Sequence, residues 1–529
     1  MILLLTSFLV IISCLSSEAK TYKITKPTDL GGGKLVLEAG TRLVFMKSGC
    51  VMNGTVQGNN SIIVAKTKAP VFKNVKLEGS FKNDKAYLSW WNCDEDITDE
   101  IESLVTTFSG TVYLDRAGKM TKPIILNDKK TFKIDGCGNA FCLSNIGGFA
   151  FHLKQVNSIE VQNVSFKYVN SNPGTSSHVG ALRIAHAGAS DVKIHDVSIE
   201  GFDNSQYKPC GLDAIQIEGC KKGTVTLIHD VTVKDMVVKG DGKETNGIGA
   251  NYAISVDCHE KESGKVNIYN CYISNLYNVD ENGYKIYEDA SGIYLGGAVG
   301  KNANGEMTYA NWDAYIHDCH FKDVSKRNIK IQGNYVVLCN LYSETTEEFL
   351  KSYRNMYVGI NGNYITIDGI YGQYDGCIVN ISGNYLSLCN MDCTSALCNS
   401  KYAHVICLDG TQNAKIEDCK FDNDTYMFIY PTERNLTDAS VPEFHIKRCS
   451  LNVKNLLYCI TNFSIIYNKG VLMVDDSNIS LSETYVSNSR SLSEIRLCGS
   501  TIRGKARMTI PKENGEPRVI VIESEIIEQ

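Results

Sequence analysis

Three near-copies of one ten-residue segment, "IQGNYVVLCN" from Ile331, "INGNYITIDG" from Ile360 and "ISGNYLSLCN" from Ile381, constrain the fold of this 529-residue chain more than any other feature. Each joins two alternating apolar runs through Gly-Asn, residues that tolerate the positive φ of a tight corner. The corner residues Asn334, Asn363 and Asn384 are expected to stack, each side-chain amide bonding to the next copy one strand spacing away, about 4.8 Å.

The second half of each copy belongs to a longer series. "IYNCYISNL", "IHDCHFKDV", "VLCNLYS", "SLCNMDC", "IEDCKFDN", "IKRCSLNV" and "IRLCGSTI" place Cys271, Cys319, Cys339, Cys389, Cys419, Cys449 and Cys498 at one position of a common pattern. Val164, Val197 and Val231 take that position earlier in the chain, and Gly369 takes it in "TIDGIYG". A position that exchanges Val, Cys and Gly is small, apolar and buried, so these thiols read as core groups. No second Cys pair or His pair stands at metal-ligand spacing, so the block of cysteines implies no metal. From Val164 to Cys449 the position recurs in steps of 20 to 48 residues, and alternation at such a period signals a solenoid. The expected fold is all-β, a single-stranded right-handed parallel β-helix with interior columns of Val, Ile, Leu and Cys.

Helical patterning is confined to "DEDITDEIESLVTTF", residues 94–108, where Ile97, Ile101, Leu104, Val105 and Phe108 share one face. This segment is expected to be a short N-terminal capping helix. The division that follows is a β-rich segment over residues 20–91 and the β-helix over residues 92–529. Residues 1–19 carry an apolar run at 2–12 that is too short to span a bilayer and matches an export signal. Cleavage after Ala19 is one reading; the lipobox-like Ile11-Ile12-Ser13-Cys14, which would make the protein a lipoprotein through Cys14, is the other. The expected location is secreted, or periplasmic and envelope-bound. No later run of 18 apolar residues predicts a transmembrane segment, and a net charge of −6 without any Lys/Arg block argues against nucleic acid as a partner.

The strands that precede the corners point to a site. In "ALRIAHA", "DAIQIEG", "YAISVD", "SGIYLGG" and "RNIKIQG", the apolar pairs Leu182/Ile184, Ile215/Ile217, Ile254/Val256, Ile293/Leu295 and Ile329/Ile331 should point inward. Period 2 then turns Arg183, Gln216, Ser255, Tyr294 and Lys330 outward in one column, and Glu218, Asp257 and Gln332 in the next. The same coils carry the longest insertions, "KGDGKETNGIGAN", "YNVDENGYKIYEDAS" and "VGKNANGEMTYANWD". Long loops beside one sheet wall a groove, in which Tyr284, Tyr287, Tyr309 and Trp312 offer faces to sugar rings. A polysaccharide is the expected partner. A strand cation is ordinarily a solvated face, and what singles out Lys330 is its place in the polar column beside these loops; Arg327 lies near the same strand's start. The "IHD" histidines His195, His229 and His317 read as structural.

Residues 91–120, "WNCDEDITDEIESLVTTFSGTVYLDRAGKM", resemble the opening motif of the pectate-lyase-3 branch of the pectin-lyase-like superfamily, which also includes Bacteroides-type exported β-helix proteins; Asp115 stands where that motif has Pro. The resemblance implies a parallel β-helix and a carbohydrate ligand. In a uronate lyase of this type the substrate carboxylate is neutralised by Ca²⁺ or by cationic side chains and its α-proton is taken by an Arg or Lys, roles that Arg183 and Lys330 could fill; the cofactor stays open, with Ca²⁺ as the option for a lyase. In a hydrolase, "GLDAIQIEG" and "RNIK" would make Asp213 the acid and Arg327 and Lys330 subsite cations, with Asp257 of "VDCHE", Glu218 or Asp203 as a second carboxylate. Gln216, Glu218, Tyr294, Arg327 and Gln332 would then bind substrate. The functional expectation is an exported carbohydrate-active protein that cleaves a polysaccharide, uronic-acid-containing ones among the candidates, by lyase or glycoside hydrolase chemistry. The alternative is a non-catalytic glycan-binding or adhesive β-helix.

Overall fold

A computed structural model describes residues 20–528 except 67–68, 93–94, 130, 186–190, 242–247, 284, 287–288, 304, 306, 351–354, 375, 396–403, 410–412, 433–442, 459–469, 488–491, 505–507, 510–517 and 523. Strand accounts for 68% of it and helix for 4%. The signal-like segment with Cys14 lies outside the described residues.

The chain divides into two compact units, one ending at Arg116 and one beginning at Ala117. In the first, β1 (Cys50–Val64) and β2 (Phe72–Phe81) pair in parallel. The helix, α1 (Thr98–Thr107), belongs to this unit. It starts where the Asp96 carboxylate accepts the Thr98 N–H at 3.1 Å, with Asp99 and Glu100 at the positive end of its dipole. Ile101, Leu104 and Val105 form its buried stripe, and Phe108 just beyond it stacks on Phe81 with ring centroids 5.2 Å apart.

The second unit is a parallel β-helix. One face is built from β3 (Phe149–Lys154), β4 (His178–Ala185), β5 (Gly211–Glu218), β6 (Asn251–Asp257), β7 (Ala290–Gly296) and β8 (Lys326–Gln332), each parallel to the next. The inward residues Leu182, Ile215, Ile254, Ile293 and Ile329 are all 0% exposed. Burial of this kind contributes about 2 kcal/mol per side chain, repeated in every coil. No helix among the described residues is long and apolar enough to cross a membrane.

Two other runs of strands close each coil, and between them sits a corner residue of positive φ: Asn163, Asp196, Asp230, Asn270, Asp318, Asn340, Gly369, Asn390, Asp418 and Arg448 in successive coils. This corner corrects the cysteine alignment. Where it precedes the cysteine, the thiol starts the next strand and points inward, so Cys271, Cys319, Cys419 and Cys449 are buried. Around Cys339, Cys389 and Cys498 the corner comes after the cysteine, at Asn340, Asn390 and Gly499. These three therefore remain on the outward column of the preceding strand. Cys339 registers with His317 and Asp368, Cys389 with Asp368 and Glu417, and the three are half-buried or exposed. Their places inside are taken by Leu341 and Met391 and, after Cys498, by Ser500, which is 1% exposed.

The asparagine ladder forms and is longer than expected. Asn334 donates to Asn311, Asn363 to Asn334, and the Asn384 and Asn413 backbone N–H groups donate to the side chains of Asn363 and Asn384, at 2.7 to 3.1 Å. Gly333, Gly362 and Gly383 have positive φ as the Gly-Asn corner suggests, and a second positive φ follows each asparagine, on Tyr335, Tyr364 and Tyr385, whose exposed rings stack at 4.8 and 4.5 Å. Glycine is required at this corner by space: a Cβ on Gly362 would lie 1.8 Å from the Gly333 carbonyl oxygen.

Candidate functional site

Arg183, Gln216, Ser255, Tyr294 and Lys330 are in direct register across β4 to β8, one column as the alternation requires. Glu218 registers with Asp257, and Asp257 with Gly296. A third column, Asp213–Tyr252–Ser291–Arg327, stands beside them. The sequence pattern missed it because Ala214 and Ile215 are both buried in succession, a break in the alternation that puts Asp213 and Gln216 on the same side.

At the C-terminal end of the columns, Asp289, the residue before β7, gathers the cations. Its Oδ1 accepts Arg327 Nη1 at 2.6 Å, and its Oδ2 accepts Lys330 Nζ at 2.5 Å and the Tyr252 hydroxyl at 2.6 Å. Burial raises the Asp289 pKa, but the charges of Lys330 and Arg327 outweigh it and hold the carboxyl well below the usual range. Lys330 is lowered by burial against the opposing pull of Asp289. Its ammonium lies 4.7 Å from the Tyr294 ring centroid and 5.7 Å from that of Tyr252, and these two rings stack at 4.8 Å. The Tyr294 hydroxyl donates to Gln332 Oε1 at 2.7 Å.

In the middle, Asp257 is a carboxyl displaced far from ordinary behaviour. Burial, then the charges of Asp213 and Glu218, push its pKa up to about 7, with Lys330 opposing. Across from it Gly296 lets the carboxylate pack against the backbone: a Cβ there would sit 1.9 Å from Asp257 Oδ1. Toward the N-terminal end, Arg183 Nη2 donates to Glu218 Oε1 at 2.6 Å, with the guanidinium 5.4 Å from the Phe149 ring centroid. Asp213 is 2% exposed; its Oδ2 is 3.0 Å from His178 Nδ1, and its Oδ1 accepts the Ser255 hydroxyl at 2.8 Å. That hydrogen bond raises the His178 pKa, over the opposing effect of burial. His152, in register with Arg183, is pushed down to about 4 by burial and then by the Arg183 charge.

All nine candidate residues, Asp213 and Arg327 among them through the family resemblance, thus lie on β4 to β8, while Asp289, Tyr252, Ser291 and His178 were not foreseen. An acidic residue abutting a strand start, as in "YEDAS", was the available signal for Asp289. Trp312 is not a free stacking face: it is 3% exposed, with its indole N–H on the Gln332 carbonyl at 3.0 Å. Tyr284 and Tyr287 lie outside the described residues. His195, His229 and His317 form a structural stack with Tyr269 at spacings of 4.8 to 4.9 Å. Among the described residues no group of three or more His, Cys, Asp or Glu is placed to hold a metal ion.

Fold and site together define a parallel β-helix carrying a polar, ion-paired cluster on one face. No family model matches the chain, and no curated protein matches it.

Proposed function

We propose that this is an exported carbohydrate-active enzyme of the pectin-lyase-like kind, cleaving a polysaccharide along the β4–β8 face with Asp257 as the proton donor. What supports the reading is the place of Asp257 in the polar column, in register with Glu218 on one side and Gly296 on the other, where burial and its acidic neighbours push the carboxyl pKa up to about 7. Carboxyl groups whose environments push their proton affinities apart are how acid and base roles are divided in glycoside hydrolysis. Asp257 has the donor's environment, with its carboxylate packed against the Gly296 backbone and the Tyr294 ring beside it.

Hydrolysis of a neutral glycan fits the charges better than elimination from a uronate. Arg327 and Lys330 share Asp289, and Arg183 is matched by Glu218. A substrate carboxylate would find these three cations already engaged, whereas sugar hydroxyls can be met by Gln216 and by the Tyr294–Gln332 pair. The test is incubation with panels of neutral and uronate-containing polysaccharides, following reducing ends and the ultraviolet absorbance of unsaturated products. New reducing ends without absorbance from a neutral glycan are expected. Unsaturated product would establish the lyase reading. Binding without any product would establish the adhesive alternative.

A further inference from the structure

We propose that two pairs of interior cysteines, Cys271 with Cys319 and Cys419 with Cys449, are disulfide sites, each closing into a bond that ties one coil of the β-helix to the next. The inference rests on the fold alone and is independent of the chemistry proposed for the β4–β8 face.

The corner residue before each of these four cysteines sets the thiol at the start of a strand and turns it into the core, where the four stand as free thiols. Tyr272 registers with His320, and the His320 N–H donates to the Cys271 carbonyl at 2.8 Å, so Cys271 and Cys319 are side-by-side neighbours on successive coils. Lys420 registers with Ser450, and the Ser450 N–H donates to the Cys419 carbonyl at 2.9 Å, which repeats the arrangement in the second pair. Such neighbours have Cα atoms about 4.8 Å apart, inside the range of roughly 4.4–6.8 Å that bridged cysteines occupy. The later thiol of each pair also leans toward the earlier coil. Cys319 Sγ lies 4.0 Å from the Ile268 carbonyl oxygen and Cys449 Sγ 3.5 Å from that of Ile416, in each case close before the partner cysteine. Within each pair the two thiols are in hydrogen-bond contact.

The interior column offers each thiol a single sulfur neighbour. Val231 precedes Cys271 and Leu341 follows Cys319, while Met391 precedes Cys419 and Ser477 follows Cys449. All four cysteines are between 1% and 3% exposed, so oxidation takes place while the coil is closing rather than on the finished surface. An oxidising compartment, the setting expected from the export-like leader, is where such pairs form and persist. The two links join residues 48 and 30 positions apart in the chain, and a cross-link of that reach restricts the unfolded state.

The exchange balances with a disulfide of the glutathione class as oxidant. One thiolate of the pair attacks a glutathione sulfur and releases a glutathione thiolate; the second thiolate then attacks the mixed disulfide and releases the other. Two protein S–H bonds are lost and one protein S–S bond forms, while one glutathione S–S bond is reduced to two thiols.

The experiment produces the full chain in a reducing cytosol and, behind a secretion signal, in an oxidising compartment, so that no refolding step is needed. Thiols are blocked in urea and the unreduced peptides mapped by mass spectrometry. The oxidised sample is expected to yield Cys271–Cys319 and Cys419–Cys449 linked peptides, with Cys339 and Cys498 in neither, and to unfold at a higher urea midpoint than the reduced sample. Cys271→Val and Cys449→Val put into the column the residue it carries at Val231 and keep the core filled; each should lose its own link, keep the other, and lose part of the midpoint shift. Recovery of all four cysteines as blocked thiols from the oxidised sample, their pairing with cysteines outside the column, or a midpoint lowered by oxidation would overturn the proposal, and a link at one pair alone would overturn it for the other.

Discussion

Asp257→Asn tests the state of the central carboxyl without any knowledge of the substrate. In the folded protein this carboxyl binds its proton up to pH about 7, against an ordinary value of 3.8. A folded-state pKa above the unfolded one means that the native protein holds the extra proton between the two values, so stability falls as pH rises through that window. The loss begins near pH 4 and is complete above about pH 7. Three pKa units at 1.36 kcal/mol each give about 4 kcal/mol of destabilisation at pH 8 relative to the protonated carboxyl. Asparagine keeps the shape and cannot ionise, so the variant should match wild type near pH 4 and exceed it progressively, by about 4 kcal/mol at pH 8. Urea denaturation of both proteins at pH 4, 5.5 and 8 measures the gap. A gap that stays constant, or that widens toward acid pH, would refute the account of Asp257.

Gly296→Ala places a methyl 1.9 Å from Asp257 Oδ1; activity on the identified glycan should fall at least tenfold with the fold intact by circular dichroism. Asp289→Asn leaves Arg327 and Lys330 without their shared carboxylate, a loss of the 3–5 kcal/mol order for a half-buried charge network that thermal denaturation should detect; an unchanged melting temperature contradicts the cage. Thiol labelling of the native protein should modify Cys498 and Cys339 well before Cys271, Cys319, Cys419 and Cys449, and equal rates would contradict the two-column assignment. Gly362→Ala brings a Cβ 1.8 Å from the Gly333 carbonyl and should destabilise by several kcal/mol through overpacking; wild-type stability in urea would mean that the corner is looser than described.

The sequence revealed what strict period 2 controls. From Arg183 to Lys330 every outward residue of the first column was legible, because a one-residue slip would have exposed Leu182, Ile215, Ile254, Ile293 and Ile329. Legibility ended where the backbone departs from alternation. Cys339, Cys389 and Cys498 were put inside because a corner displaced by two residues leaves the apolar rhythm almost unchanged; only the position of Asn340, Asn390 and Gly499 separates them from the core cysteines. The Asp213 column was hidden by the paired inward residues Ala214 and Ile215, and Asp289 by its place at the end of an insertion. His178, first residue of its strand, acquires meaning only through the Asp213 carboxylate, 35 residues later in sequence and 3.0 Å away in space.

If Asp257 both carries and delivers a proton, as proposed, the most direct measurement is cleavage and binding by Asp257→Asn on a polysaccharide that the screen finds wild type to cleave. The variant should bind it with the wild-type dissociation constant while reducing-end release falls by about 10²- to 10⁴-fold, the contribution of one general acid. Release at the wild-type rate would show that Asp257 gives no proton to the leaving group, and the site would have to be reassigned.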